Sequence, residues 1–540
     1  MLFNSYEFLF VFLPLTLGGF FLFGRSSRTW AIRWLIVASL GFYAWWRPLN
    51  VLIIAPSIAV NYLLARALLR YSRSDNSAAS KRILLVGIIF NIAFLGYFKY
   101  ANFVVHATND VVGTTFVMST IILPLGISFI TFQKIAFLLD VHARRIEDFT
   151  LQDYCLFVLF FPQMIAGPIV HYREMLPQFH RASCKPEVDH VAVGLTLFTF
   201  GLFKKVVLAD GISSLVSPLY AQAALGASVS LIPAWLAAIG FTLQIYFDFS
   251  GYTDMALGLA RLFGVRFPPN FNSPLRASSI IDFWLRWHMT LTRFLTAYIY
   301  NPLALRAARR RAARGLPAFG GRSTTTVAFL EVLTVPVIVT MFVSGVWHGA
   351  GYLFILWGLL HGVYITINHG WRTLAHRLWH DRESYSKIMR PIGWVLTFVA
   401  VTAAMVLFRS SNLTAAAGLL GGMAGAHGIA IPASIYDRLG PLAALLRSGD
   451  PVLAAAGVSL PALLKWTVGL GFIALAMPNT LEILSHYQPA LGVQPVVATN
   501  ALEKTASWKP SLAWALAVSL LAVIGILHLG GNSEFLYWQF

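Results

Sequence analysis

Apolar stretches of spanning or near-spanning length recur along this chain with few formal charges or none, and nothing constrains the possible folds more. The first runs from Phe8 to Phe23. Others centre on Trp34 to Trp46, Val51 to Leu69, Ile83 to Phe98, Phe116 to Leu139, Val191 to Leu208 and Leu231 to Phe249. A second set comprises Val327 to Val346, Tyr352 to Asn368, Trp394 to Phe408, Leu463 to Met477 and Leu512 to Leu529. A hydrocarbon core of about 30 Å takes about 20 apolar residues per helix, so these runs predict an all-α polytopic membrane protein with roughly 11–12 transmembrane helices. With comparable runs recurring to the C-terminus, the first is expected to be neither a cleaved leader nor a lone anchor. Composition agrees, because 57% of residues are hydrophobic and 11% charged, against about a quarter charged in soluble domains. We read residues 1–540 as one membrane domain, with N-terminal helices over 1–115, a core over 116–370 and C-terminal helices over 371–540.

The formal charge of +18 does not point to nucleic acid, since no compact domain presents the basic residues together. They lie between apolar runs, where they set topology and meet lipid headgroups. Arg25, Arg28 and Arg33 follow the first run, and Arg66, Arg70, Arg73, Lys81 and Arg82 follow the third. Both loops are therefore expected on the cytoplasmic side, and the N-terminus outside. The groups Arg306, Arg309, Arg310, Arg311, Arg314 and Arg372, Arg377, Arg382, Lys387, Arg390 fit the same alternation. Lys204 and Lys205 dissent, at the supposedly outer end of the sixth run. Either they snorkel or that helix is shorter than drawn. The two cysteines, Cys155 and Cys184, are too few for a disulfide framework and wrongly spaced for zinc.

Leu156 to His171 (LFVLFFPQMIAGPIVH) and Gly251 to Tyr300 are apolar but interrupted, and read as re-entrant. Irregular backbone at membrane depth is tolerated only against protein or a water-filled cavity, so these segments imply an internal chamber. No internal repeat is evident, which weighs against a secondary transporter of inverted halves.

In Met341 to Gly362 (MFVSGVWHGAGYLFILWGLLHG), an ionisable His348 stands between two uncharged helices beside Ser344, Gly345, Gly349 and Gly351. Intramembrane ionisable groups are functional candidates, and adjacent glycines could let a substrate approach the backbone. The competing reading is a structural histidine at a helix turn. A second histidine, His288, lies in DFWLRWHMTLTR with Trp284, Arg286 and Trp287. On a continuous helix Trp284 and His288 would share a face. The charge-derived topology puts His288 toward the cytoplasmic side and His348 toward the other, as in a chamber reached from both leaflets. Asp248, Asp254 and Glu331 are acidic residues at membrane depth, read as ion-paired or directly involved. His376 and His380 have a helical spacing but no third ligand, so no metal site is expected. No Walker loop, dinucleotide fingerprint or Gly-x-Ser-x-Gly elbow stands in a fitting context.

Six segments, in order, carry a resemblance: Leu123 to Gln133 (LPLGISFITFQ), Phe160 to Ile169 (FFPQMIAGPI), Tyr246 to Ala256 (YFDFSGYTDMA), Pro269 to Pro274 (PNFNSP), Phe283 to Leu291 (FWLRWHMTL) and Val346 to Gly349 (VWHG). The chain resembles the membrane-bound O-acyltransferases, in the branch typified by the membrane component of bacterial alginate O-acetylation, from the opening MLFNSYEFLFVFLP to the terminal FLYWQF. The resemblance implies a ring of helices around a thin core crossed by a tunnel, in a bacterial inner membrane. It implies His348 as catalytic and His288 as a second important polar residue. Trp284, Trp287, Trp347, Ser344, Gly349, Gln133, Asp248, Asp254 and Arg286 are expected along the tunnel. No tightly bound cofactor is expected, only an acyl thioester donor, acetyl-coenzyme A or an acyl carrier. The implied partners are an extracytoplasmic acetyltransferase and a polysaccharide acceptor. Thr296 to Arg306 (TAYIYNPLALR) departs from the RDYLYIPLGG usual in this branch, which leaves acceptor and partner identity open. The rival readings are a transporter or channel for envelope polysaccharide, and a non-catalytic scaffold.

Overall fold

The computed structural model describes residues 1–73, 77–181, 183–317, 319, 325–379, 381–431, 436, 447–495, 505–531 and 536. Among them, eight helices are long and apolar enough to span a bilayer: Phe8–Ser26, Leu49–Ser72, Ser77–Val112, Val188–Ala224, Leu231–Leu262, Thr326–His348, Tyr352–Ala375 and Glu383–Arg409. Shorter apolar helices, Leu413–Met423, Leu460–Ala476 and Leu512–Leu527, accompany them, and the Trp34 to Trp46 run lies largely within the 17-residue helix Arg28–Ala44. Strand structure among the described residues is one parallel pairing of Ala430–Ile431 with Arg447–Ser448.

The axis of the molecule is Leu231–Leu262. Its 32 residues extend about 48 Å at 1.5 Å per residue, and it is buried without a break from Gly240 to Leu262. A largely apolar helix whose carboxylates are paired inside the protein belongs in an interior. Val188–Ala224 crosses it closely, because a Cβ at Gly201 would stand 2.4 Å from the Gly251 carbonyl oxygen and one at Gly258 2.5 Å from that of Gly194. Small residues at such crossings let helix backbones touch. The outer helices instead turn leucines such as Leu52 and Leu63 outward, as lipid-facing surfaces require.

Three sequence expectations are corrected. The Phe116 to Leu139 run is not one span: residues 113–124 are non-helical, and the helix is Ile127–His142, largely buried with Gln133, Lys134 and Asp140 inside. Gly126 breaks it, with φ +67° and no room for a Cβ, which would lie 2.3 Å from the Met164 carbonyl oxygen. Lys204 and Lys205 neither snorkel nor end a short helix. Their helix continues through a π-helical turn, Lys204–Ala209, to Ala224, and both ammonium groups are paired inside the protein. Finally, Gly251 to Leu262 is no re-entrant segment but the continuation of the axial helix.

The remaining interrupted segments do fold inward. Leu151–Leu159 is capped by Thr150 and Asp153, and the chain then turns through Phe161–Met164 to His171, buried almost throughout. Side chains supply what the irregular backbone lacks: Ser39 Oγ accepts from the Phe161 N–H at 3.2 Å, and Thr290 Oγ1 from the Ile169 N–H at 3.0 Å. Such satisfaction is obligatory at membrane depth.

Contacts sort the helix ends into two faces. On one, Arg28 reaches the His180 carbonyl, Arg66 pairs with Asp148, and Trp394 donates to the Leu275 carbonyl. On the other, Tyr100 reaches Val346, Asn412 reaches Ala224 and Trp235 reaches Met423. The grouping matches the alternation drawn from the basic loops.

Candidate functional site

His348 is the last residue of Val335–His348, which ends where Gly349 adopts extended backbone. A helix end leaves carbonyl groups without intrahelical donors, and here two side chains from another helix meet them. The Tyr100 hydroxyl donates to the Val346 oxygen at 2.6 Å, while Lys99 Nζ donates to the oxygens of Trp347 and His348. A cation at a helix C-terminus also complements its dipole. The neighbouring glycines serve packing rather than an open approach for substrate. A Cβ at Gly345 would stand 2.3 Å from the Phe354 carbonyl oxygen, and one at Gly349 2.2 Å from the Phe354 ring.

The His348 ring is packed edge to face against Trp347, Trp357 and Phe408, with centroids 4.9, 5.0 and 5.3 Å away. The residue retains 4% exposure, and it borders a cavity of about 320 Å³ lined also by Arg47, Asn50, Lys99, Ser128 and Trp347. That cavity opens on the face carrying the Arg47 loop.

His288 approaches from a different element. The helix Ile280–Arg286 stops, and a second, Met289–Leu295, begins with His288 in the left-handed region at φ 43°. A non-glycine residue there is strained and must be held. Asn270 holds it: its backbone oxygen accepts from the Met289 N–H at 2.9 Å, and its Oδ1 from the Thr290 N–H and hydroxyl at 3.2 and 2.7 Å. The same Oδ1 lies 3.1 Å from His288 Nδ1. Because the Thr290 N–H can only donate, this oxygen is an acceptor and Nδ1 carries the hydrogen, which leaves the neutral ring's lone pair on Nε2.

The two histidine rings are 6.3 Å apart. They are therefore not on opposite sides of the membrane, as the sequence alternation suggested, because the interrupted 263–288 segment carries His288 back to the end of the His348 helix. Nor do Trp284 and His288 share a helix face. The break at Trp287 turns Trp284 away, and its indole Nε1–H donates to His361 Nδ1 at 3.3 Å.

His361 was not singled out in the sequence, although it lies in the same apolar string as His348. It is fully buried, its ring 4.8 Å from Trp357 and 5.8 Å from Tyr364. Trp357, Lys99, Asn270 and Phe408 were likewise not assigned. Asn270 stood in the quoted PNFNSP segment without a role.

The other expected residues divide. Trp347 stacks on Phe132 at 5.2 Å and borders the cavity; Ser344 and Gln133 are buried. Trp287 stacks on Phe283 at 5.6 Å, in the wall behind His288. Arg286 faces elsewhere, paired with Asp282 at 2.8 Å. Asp248 and Asp254 are in ion pairs, Asp248 with Lys205 at 2.7 Å and Asp254 with Lys204 at 2.6 Å, and Asp248 is no partner of His348. Glu331 pairs with Arg311 at 2.7 Å. The side chains of His376 and His380 lie outside the described residues.

A second cavity, of about 710 Å³, opens on the opposite face between the helices Tyr352–Leu378 and Arg382–Arg409. Arg372 and Arg390 stand in its wall, with Ile280, Asn368, Tyr385 and Tyr364. Tyr364 touches His361, His361 touches Trp357, and Trp357 touches His348. The two cavities thus approach one buried cluster of three imidazoles and several indoles.

Residues 139–316 match the family model of the membrane-bound O-acyltransferase family. The chain is 36% identical over 459 residues to a peptidoglycan O-acetyltransferase of Helicobacter pylori, covering 80% of this chain and 81% of that one. To a probable alginate O-acetylase of Azotobacter vinelandii it is 32% identical over the whole of both chains. A teichoic acid D-alanyltransferase of Streptococcus thermophilus is 27% identical over 53% of this chain and 68% of its own.

Proposed function

The chain belongs to the membrane-bound O-acyltransferase family and is a multi-pass membrane O-acyltransferase, and we propose that it moves an acetyl group from a cytoplasmic thioester to a hydroxyl on the other side of an inner membrane. The observation that carries this reading is a pair of cavities, one bordered by His348 and the other walled by Tyr364, whose ring lies 5.8 Å from His361 of the same cluster. The basic loops assign the wider, arginine-bearing cavity to the cytoplasmic side. Its two guanidinium groups suit the phosphates of coenzyme A or of a carrier's pantetheine arm, and the aromatic wall beyond suits an acyl chain. The cavity beside Arg47 then admits the acceptor, with the N-terminus extracytoplasmic.

In this reading His348 takes the proton of the acceptor hydroxyl as its oxygen attacks the thioester carbonyl, then returns it to the departing thiolate. Imidazole suits both steps near neutral pH, and such transfer contributes about a hundredfold to ten-thousandfold in rate. His288, presenting Nε2 as an acceptor, orients the hydroxyl. Lys99 positions His348 by holding the end of its helix. The dry aromatic surround keeps water from the thioester. The acceptor is a polysaccharide, or the hydroxyl of an extracytoplasmic acetyltransferase that passes the group on. Relatives named for peptidoglycan and alginate favour the first chemistry.

The test is transfer of labelled acetyl by the purified chain in lipid nanodiscs. His348→Ala is expected to lose at least about a hundredfold with the protein still folded. Retained transfer would remove His348 from this role. Solute flux through proteoliposomes without acyl transfer would favour the transporter reading instead.

A further inference from the structure

Resting on the acyl-transfer reading, we propose that His361 is a further catalytic residue, whose Nε2–H, with the indole N–H of Trp357, binds the carbonyl oxygen of the donor thioester and holds the oxyanion that forms on it. The first observation is a fixed tautomer. Indole nitrogen can only donate, so the Trp284 Nε1–H at 3.3 Å from His361 Nδ1 makes that nitrogen the acceptor. In the neutral ring the hydrogen is then on Nε2.

The second observation is that this donor meets nothing. Among the described residues, His361 Nε2 and Trp357 Nε1 are buried without a hydrogen-bond partner. Each such group costs about 1–3 kcal/mol if left so, and buried polar groups in native proteins almost always find a partner. Two unmatched donors on one pair of touching rings, 4.8 Å between centroids, describe a missing acceptor.

The third observation is place. The Trp357 indole packs against both His361 and His348, with centroids 4.8 and 5.0 Å apart. On its outer side His361 meets Tyr364, in the wall of the wider cavity. A thioester arriving by that route meets His361 before its carbonyl carbon reaches the hydroxyl at His348. As the acceptor oxygen bonds to that carbon, its proton passes to His348 and the carbonyl π pair moves onto the oxygen facing the two N–H donors. Collapse then re-forms the carbonyl, breaks the carbon–sulfur bond and returns the proton to sulfur. A neutral imidazole is the right donor here, because it stabilises the oxyanion without handing over its proton.

The experiment uses the full chain in nanodiscs with labelled acetyl-coenzyme A, a hydroxyl acceptor and four variants. His361→Phe keeps the ring packing and removes the donor. It is expected to lower kcat about 10²- to 10³-fold, as loss of one oxyanion donor does, with donor KM within about threefold. His361→Gln places an N–H near the former Nε2 and is expected to restore at least tenfold of that loss. Trp284→Phe frees the tautomer and is expected to cost about tenfold in kcat. Trp357→Phe reports on the second donor if His361→Phe does not accumulate folded. A kcat for folded His361→Phe above one third of wild type, or a His361→Gln no better than His361→Phe, overturns the proposal. If His348→Ala, run alongside, is inactive while His361→Phe is active, only this inference fails; if both are active, His348 loses its role as well; and if the wild type transfers no label, the acyl-transfer reading fails with it.

Discussion

Asp248 and Phe249 are neighbours on the axial helix, yet they belong to opposite regimes. Asp248 faces a charged cluster in which Lys205 Nζ stands 2.7 Å from both Asp248 and Asp210, while Lys204 meets Asp254 and Thr480, each at 2.6 Å. Phe249 faces the histidine chamber, its ring edge-on to His288 at 4.8 Å. The charged cluster is ion-paired from within the protein. In the chamber, polar atoms of Ser344, Trp347, Trp357 and His361 have no protein partner among the described residues. Ionisable groups at membrane depth thus mean different things according to whether the fold completes them. The ion-paired cluster ties Val188–Ala224 to the axial helix, and the other is where the proposed reaction puts its substrate.

The largest effect that separates the regimes is expected at Lys205. Lys205→Met leaves Asp248 and Asp210 without their shared cation, and breaking a buried pair from one side costs about 3–5 kcal/mol. Folded protein should fall severely, measured by size-exclusion yield and thermal unfolding. Transfer per folded molecule should change little. The double variant Lys205→Met/Asp248→Leu should recover much of the yield, since an apolar replacement of a whole pair is often neutral. Lost turnover in folded Lys205→Met would erase the distinction and make the charged cluster part of the chamber.

A smaller effect tests the chamber's own scaffold. Asn270→Ala removes the acceptor that fixes the His288 tautomer and part of what holds its left-handed backbone. Transfer per folded molecule should fall toward the hundredfold lower limit of proton-transfer catalysis, with donor KM near wild type and a lowered melting temperature, because the buried donors of Thr290 and His288 lose their acceptor. If the donor KM rose while kcat held, His288 would belong to donor binding instead.

What the sequence made legible follows from what a one-dimensional pattern can carry. Spanning helices announce themselves by length, and His348 and His288 stood out because ionisable residues are rare in such company. Direction was not legible. Asp248 and Phe249 lie side by side in the string, and only the fold turns one to lysine and the other to histidine. Phe116 to Leu139 read as a span because hydropathy does not register the break at Gly126 or the burial of Lys134. Lys99 was invisible as a cap because its partners, Trp347 and His348, are remote in sequence. His361 was within reach: a third imidazole in the same apolar string as His348, on the following helix, invited the question of what it faces.

The smallest expected effect lies at the mouth of the chamber, where charge is neither matched nor buried. Arg372 and Arg390 line the wider cavity, and Arg372 is exposed, with a long contact of 3.4 Å to Ser279 Oγ. Exposed charges of this kind contribute up to about 1 kcal/mol each to a phosphate-bearing ligand, and salt screens them over about 8–10 Å. Arg372→Gln/Arg390→Gln should therefore raise donor KM by about five- to tenfold at low ionic strength and leave kcat unchanged, because neither residue approaches the reacting atoms. Raising salt should weaken donor binding in the wild type and scarcely alter it in the double variant, so that the two converge. The comparison of regimes sharpens if all three behave as argued: charge inside the fold governs stability, unmatched donors govern turnover, and charge at the mouth governs only capture. An unchanged KM in the double variant would move the donor's path away from this cavity, and with it the assignment of the arginine-bearing face to the cytoplasm.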